Sequence, residues 1–189
     1  DLAAIEKVRE EAWPWIRSAE ELHDALLVLG FMTDQEMHRG PDGEDYQIYL
    51  DPLLLEGRAT RASYEGIGLW IAAERQPWFE KLELAITFEP ILALPESLTG
   101  SITSREDVLT EIIRGRLEGL GPVTANRLAE DIGLPVSEIE YILIRLQTEG
   151  FVFKGHYTPL VPQAEFAAND EWCERRLLQR IHRYTIESH

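Results

Sequence analysis

Residues 101–162 read SITSREDVLTEIIRGRLEGLGPVTANRLAEDIGLPVSEIEYILIRLQTEGFVFKGHYTPLVP. Ser104 stands three residues before Asp107, the spacing of a helix cap with a reciprocal acidic partner. Val108, Leu109, Ile112, Ile113 and Leu117 then recur at helical spacing and predict one buried face. Gly119, Gly121 and Pro122 are expected to end that helix. Thr124 opens a second helix, with Val123 and Leu128 spaced as a hydrophobic staple, and Gly133 closes it. Ser137 and Glu140 predict another capping box. Ile139, Ile142, Leu143 and Leu146 form the apolar face of this third helix, which stops at Gly150. Phe151–Lys154 reads as a strand, Gly155 as a turn and His156–Leu160 as the returning strand.

Three helices followed by a hairpin is the winged-helix arrangement, a form of the helix-turn-helix. The predicted fold class is therefore α+β and mainly helical. A winged-helix domain at 101–162 follows a small mixed α/β region at 1–100 and precedes a long C-terminal Arg-rich helix within 163–189. The pattern speaks more sharply to fold than to function. The helix that would enter a DNA groove carries Glu138, Glu140 and Glu149 against Arg145, and phosphates repel such a face.

Charge sharpens this point. The chain of 189 residues has a formal net charge of −16. Residues 1–100 hold 8 Lys and Arg against 20 Asp and Glu, while residues 101–189 hold 10 against 14. The acidic excess sits in the first part, and such a chain is a poor non-specific partner for nucleic acid by itself. The lone Cys173 excludes an internal disulfide and fits a reducing compartment, so the cytoplasm is expected. No apolar run approaches the roughly 18 residues that a membrane span needs, so no membrane partner is expected. The chain starts at Asp1 and its last helical pattern runs up to His189, which suggests a piece of a longer protein.

Residues 2–12 form a helix on Leu2, Ile5, Val8 and Ala12, ended by Trp13-Pro14. Ser18 and Glu21 make a capping box for a helix on Leu22, Ala25, Leu26 and Leu29, closed by Gly30. Residues 39–43 form a turn. Tyr46–Leu50 is expected as a strand and Asp51-Pro52 as a helix start. Ala59–Tyr64 and Ile67–Ala72 predict a hairpin, Gln76-Pro77 opens a helix to about Leu84, and residues 85–103 form a connector. Pro159 and Pro162 mark an exit loop, and Asn169 or Asp170 caps the last helix.

Within that last helix Cys173, Leu177, Ile181 and Tyr184 share an apolar face. Trp172, Arg176, Arg180 and Arg183 form a stripe beside it, suited to phosphates with a ring for stacking on a base. Docking on the protein's own carboxylates is the plain alternative. Trp70, with Arg58, Arg61 and Arg75 near it in sequence, is a second stacking candidate, set against the reading of a half-buried core residue. Lys154 and His156 are candidate backbone contacts on the wing. The chain has no phosphate-binding GxxxxGK[ST] loop, no metal-ligand spacing and no GxSxG nucleophile. No catalytic or metal-binding residue is assigned.

Four phrases carry a resemblance: EAWPWIRSAEELHDALLVLG (11–30), GRATRASYEGIGLWIAAER (57–75), GPVTANRLAEDIGLPVSEIEYILIRLQTEGFVFKG (121–155) and EWCERRLLQRIHRYT (171–185). Their order and content resemble the part of the large helicase-related (Lhr) family that follows its two motor domains. The resemblance implies a non-motor accessory segment of an ATP-dependent 3′-to-5′ DNA helicase. ATP and Mg would then be cofactors of the motor domains, with none in this chain. The implied partners are those motor domains and single-stranded DNA or a DNA/RNA hybrid, cradled with the motor's help. It also implies likeness to the winged-helix part of bacterial DNA-repair glycosylases.

Two other readings stand beside this one. A free-standing winged-helix regulator or protein-interaction domain is the first, and basic residues on the third helix would mark the regulator. A glycosylase-like enzyme is the second, and it would need a carboxylate lining a base-sized pocket.

Overall fold

The computed structural model describes residues 1–40, 43–95, 104–159 and 170–188. Several sequence expectations lie outside them. These are Pro41 and Asp42 of the turn, residues 96–103 of the connector, Leu160 of the returning strand, Pro162 of the exit loop and Asn169 as a cap. The described residues form an α+β protein of helices and two small antiparallel sheets. They divide into two compact units.

The first unit comprises Asp1–Pro14, Arg116–Glu130 and Leu134–His189. It opens with α1 (Leu2–Ala12), capped by the Asp1 carboxylate on the Ala3 amide and turned out of helical geometry at Trp13 before Pro14. Leu2 stands out in solvent, and the buried face is Ala4, Ile5 and Val8.

The second unit comprises Trp15–Gly115 and Asp131–Gly133. Its α2 (Ala19–Leu29) is capped by the Ser18 hydroxyl, which accepts from the Glu21 amide at 3.1 Å. The Glu21 carboxylate turns instead to the Arg17 amide, so one arm of the predicted capping box is replaced. Leu22, Ala25, Leu26 and Leu29 are buried, as their spacing predicts. β1 (Met32–Thr33) and α3 (Asp34–Met37) follow, the latter with a complete Thr33/Glu36 capping box.

The predicted strand at Tyr46–Leu50 is helical. α4 (Gln47–Leu55) starts there, and Pro52 lies inside it rather than at its start. The proline is tolerated because it shares the solvent face with Ile48, whose carbonyl loses its helical donor and can bond water. β2 (Ala59–Tyr64) and β3 (Ile67–Ala72) form the predicted hairpin, with Glu65 and Gly66 both at positive φ. β1 pairs with β3, and β4 (Thr87–Glu89), within the expected connector, pairs with β2. Thr60, Ala62, Tyr64, Leu69 and Ile71 point into this unit's core. α5 (Gln76–Glu80) ends well before Leu84.

α6 (Arg105–Leu120) runs on through Gly119, with Ser104 accepting from the Asp107 amide. Its residues up to Gly115 belong to the second unit and those from Arg116 to the first. β5 (Val123–Thr124) leads into α7 (Ala125–Ile132), where Thr124 caps the Arg127 amide and Gly133 closes at φ 69°; residues up to Glu130 belong to the first unit and Asp131–Gly133 to the second. α8 (Val136–Thr148) begins before the predicted Ser137/Glu140 box. Pro135 occupies the cap with its φ of −58°, and no side chain completes it. Ile139, Ile142, Leu143 and Leu146 are buried.

The returning strand differs from expectation. β6 (Val152–Gly155) pairs not with His156–Leu160 but with β7 (Glu171–Glu174), in register from Val152 on Glu174 to Gly155 on Glu171. The other edge of β7 takes β5, giving the order β5-β7-β6. α9 (Arg175–Glu187) therefore starts later than predicted, capped by the Glu174 carboxylate on the Leu177 amide at 2.9 Å. A central strand suits Trp172 and Cys173, both buried. Cys173, Leu177 and Ile181 pack with Ala4, Ile5 and Val8 of α1.

Candidate nucleic-acid interface

α9 is amphipathic, and its solvent face is basic. Leu177 and Ile181 turn inward, while Arg175, Arg176, Gln179, His182 and Arg183 are exposed. Arg176 makes no ion pair or hydrogen bond among the described residues. Arg183 lies over the Tyr184 ring at 5.2 Å, and Lys7 lies over the same ring at 4.0 Å. Arg180 is committed elsewhere, in an ion pair with Glu11 of α1. The Tyr184 hydroxyl donates to the same carboxylate at 2.9 Å. That hydroxyl, and Arg180 beside it, hold the Glu11 carboxyl below its usual range against the opposing effect of burial.

The expected Trp172/Arg stripe is therefore broken. Trp172 belongs to β7 rather than to the helix and is 3% exposed. Its ring is core, with the Lys154 ammonium 5.7 Å from its centre. Arg176 and Arg183 remain together on the exposed helical face.

Lys154 and His156 are brought together by one carboxylate. Asp170 accepts from Lys154 at 2.9 Å and from His156 at 2.7 Å. The Lys154 and His156 contacts hold the Asp170 carboxyl below its usual range. Lys154 and Asp170, with Trp172, border a groove of about 580 Å³ whose other walls are the start of α7 and the residues Glu140, Ile144 and Gln147 of α8. Sequence reasoning missed this groove, because its walls come from segments far apart in the chain. It is large enough for a base and lined by carboxylates. Glu140 is exposed, however, and Asp170 is held by the Lys154 ammonium and the His156 ring.

In the second unit Trp70 is half-buried on the outer face of β3. Arg61, its cross-strand partner, lies 4.8 Å from its ring and binds Asp34 through two bonds of 2.8 Å. The indole N–H of Trp70 donates to Asp34 at 2.9 Å. Arg61, with Trp70 second, keeps the Asp34 carboxyl below its usual range. The Arg61 guanidinium lies across Gly68, in the space that a Cβ there would fill. Arg58 instead binds Glu20 at 2.6 and 2.8 Å, and Arg75 stacks on Trp78 at 4.0 Å. Of the three arginines read near Trp70 in sequence, Arg61 is the one these contacts bring to its ring.

Among the described residues no group of His, Cys, Asp and Glu could hold a metal ion, and no helix is long and apolar enough to cross a membrane. Burial pushes the Cys173 thiol up to about 12. A thiol-specific disulfide reagent should therefore leave Cys173 unmodified in the folded chain and modify it stoichiometrically in denaturant. Rapid reaction of the native protein would show that the β7–α1 packing opens.

No family model matches this chain. It is 25% identical over 175 residues to "Lhr helicase/ probable uracil glycosylase" of Mycolicibacterium smegmatis (strain ATCC 700084 / mc(2)155). The match covers 90% of this chain and 10% of that protein. The similarity points to an Lhr-related segment, and the chain spans about a tenth of the length of the curated relative it matches.

Proposed function

We propose that this chain is a non-motor accessory segment of an Lhr-type DNA helicase, which packs on motor domains and guides single-stranded nucleic acid. The three helices α6–α8 with the β5-β7-β6 sheet support reading 104–174 as a winged helix whose wing is β6 and β7. One observation carries the nucleic-acid reading: the exposed Arg176 and Arg183 on α9, in a chain whose net charge is −16. Arginine on an open helical face can bind a phosphate with two parallel bonds, whereas α8 presents the exposed Glu140 and pairs its Arg145 with Glu149. ATP and Mg belong to the motor domains in this reading. The cytoplasm, where a buried unpaired thiol stays reduced, is the proposed compartment.

The test is binding of a labelled single-stranded oligonucleotide to this chain across a salt series. Affinity should fall as salt rises. Replacing Arg176 and Arg183 by Ala should flatten the slope of log affinity against log salt by about 1.4, or about 0.7 per lost phosphate contact. Unchanged affinity and slope in a folded variant would remove α9 from the strand path.

A further inference from the structure

The groove beside α8 has the wrong chemistry for a phosphate backbone and a suitable chemistry for a protein. Tyr141 and Ile144 stand 59% and 55% exposed on the helix that would read DNA in a winged helix. Large apolar side chains grouped on an open face mark contact surfaces. Glu140, which lines the groove with Ile144 and directly precedes Tyr141 in sequence, is exposed and has no partner among the described residues. Lys154, the cation in the groove wall, is neutralised by Asp170 at 2.9 Å. An incoming segment therefore meets an unpaired carboxylate flanked by aliphatic and aromatic surface.

We propose that this groove docks a cationic, amphipathic segment of a protein partner, which places a lysine or arginine on Glu140 and an aliphatic side chain against Ile144 and Tyr141. Charge complementarity selects this occupant. A polyanion would face the unpaired Glu140, while the Lys154 ammonium in the groove wall is already paired with Asp170. The volume of about 580 Å³ accommodates a few anchoring side chains. The proposal does not depend on the α9 reading, since the two faces use different residues.

The test uses this chain and a fluorescent helical peptide of Leu, Ala and Lys, read by anisotropy, with light scattering of the free chain. Glu140→Lys and Ile144→Ser alter exposed residues and should each weaken peptide binding by about tenfold or more. Glu10→Lys, on α1, makes the same change in net charge and should alter it by less than about twofold. Absent peptide binding would overturn the proposal. So would equal weakening by Glu10→Lys and Glu140→Lys, which would reveal bulk charge alone. Oligonucleotide binding that Ile144→Ser weakens while peptide binding stays unchanged would reassign the groove to nucleic acid. A dimer of the free chain that Glu140→Lys dissolves would reassign it to a second copy.

Discussion

Trp172→Ala should lower the unfolding free energy of the first unit by about 3–5 kcal/mol, the usual cost of truncating a buried tryptophan. The residue is 3% exposed in the central strand of its sheet, paired with Val123 on one side and Lys154 on the other. Its removal opens a cavity on the covered face of the sheet, and β7, held by ladder hydrogen bonds on both edges, cannot move in to fill it without straining strand pairing. Trp172→Phe should recover most of the loss. Guanidinium denaturation followed by circular dichroism measures the difference. The outcome also decides the role of the residue. A stacking platform replaced by Ala would leave stability unchanged and reduce strand affinity by about 1–3 kcal/mol. The burial predicts the opposite pattern, in which any loss of binding follows loss of fold.

Why Trp172 looked like a helical residue is instructive. From 172 to 183 the apolar and basic positions repeat with a helical period, and nothing in that period marks where the helix begins. The start is set by Glu174, whose carboxylate caps the Leu177 amide, and by pairing of β7 with strands some 20 and 50 residues earlier. A four-residue strand is too short to show its own alternation. The same limit hid β1 and β4. The β2–β3 hairpin was legible because two six-residue runs flank a Glu-Gly turn at positive φ. The buried faces of α2, α6 and α8 were legible because each repeats over three turns or more. At Tyr46–Leu50 strand-favouring residues outweighed the helix that tertiary packing selects, with Leu50 and Leu53 buried on one side.

The candidate interface divides along the same line. Arg176 and Arg183 were legible because a helix places them on one face whatever its partners. The commitment of Arg180 was not, because Glu11 lies 169 residues away in the chain. Nor was the clamp of Arg61 on Asp34, at a separation of 27. Local period reveals which side chains share a face, and the fold decides which of them are still available to a ligand.

Gly115→Ala should destabilise the second unit by about 2 kcal/mol, although helix propensity alone predicts a gain of about 1 kcal/mol from replacing a mid-helix glycine. Gly115 lies in α6, where an added Cβ would run into the carbonyl oxygen of Val28 in the last turn of α2. That atom belongs to the backbone and cannot rotate away like a flexible side chain. The two helices would have to separate, and overpacking of this kind costs typically about 1–3 kcal/mol or more. Val28 is exposed, so little of its own side-chain burial is at stake, whereas Leu29 beside it is fully buried and would shift with the backbone. In a chain of this size 1 kcal/mol moves the melting temperature by about 2–4 °C, so a fall of roughly 4–8 °C is expected. A rise in melting temperature for Gly115→Ala would mean that propensity governs the site and that α2 and α6 do not meet backbone to backbone at Val28.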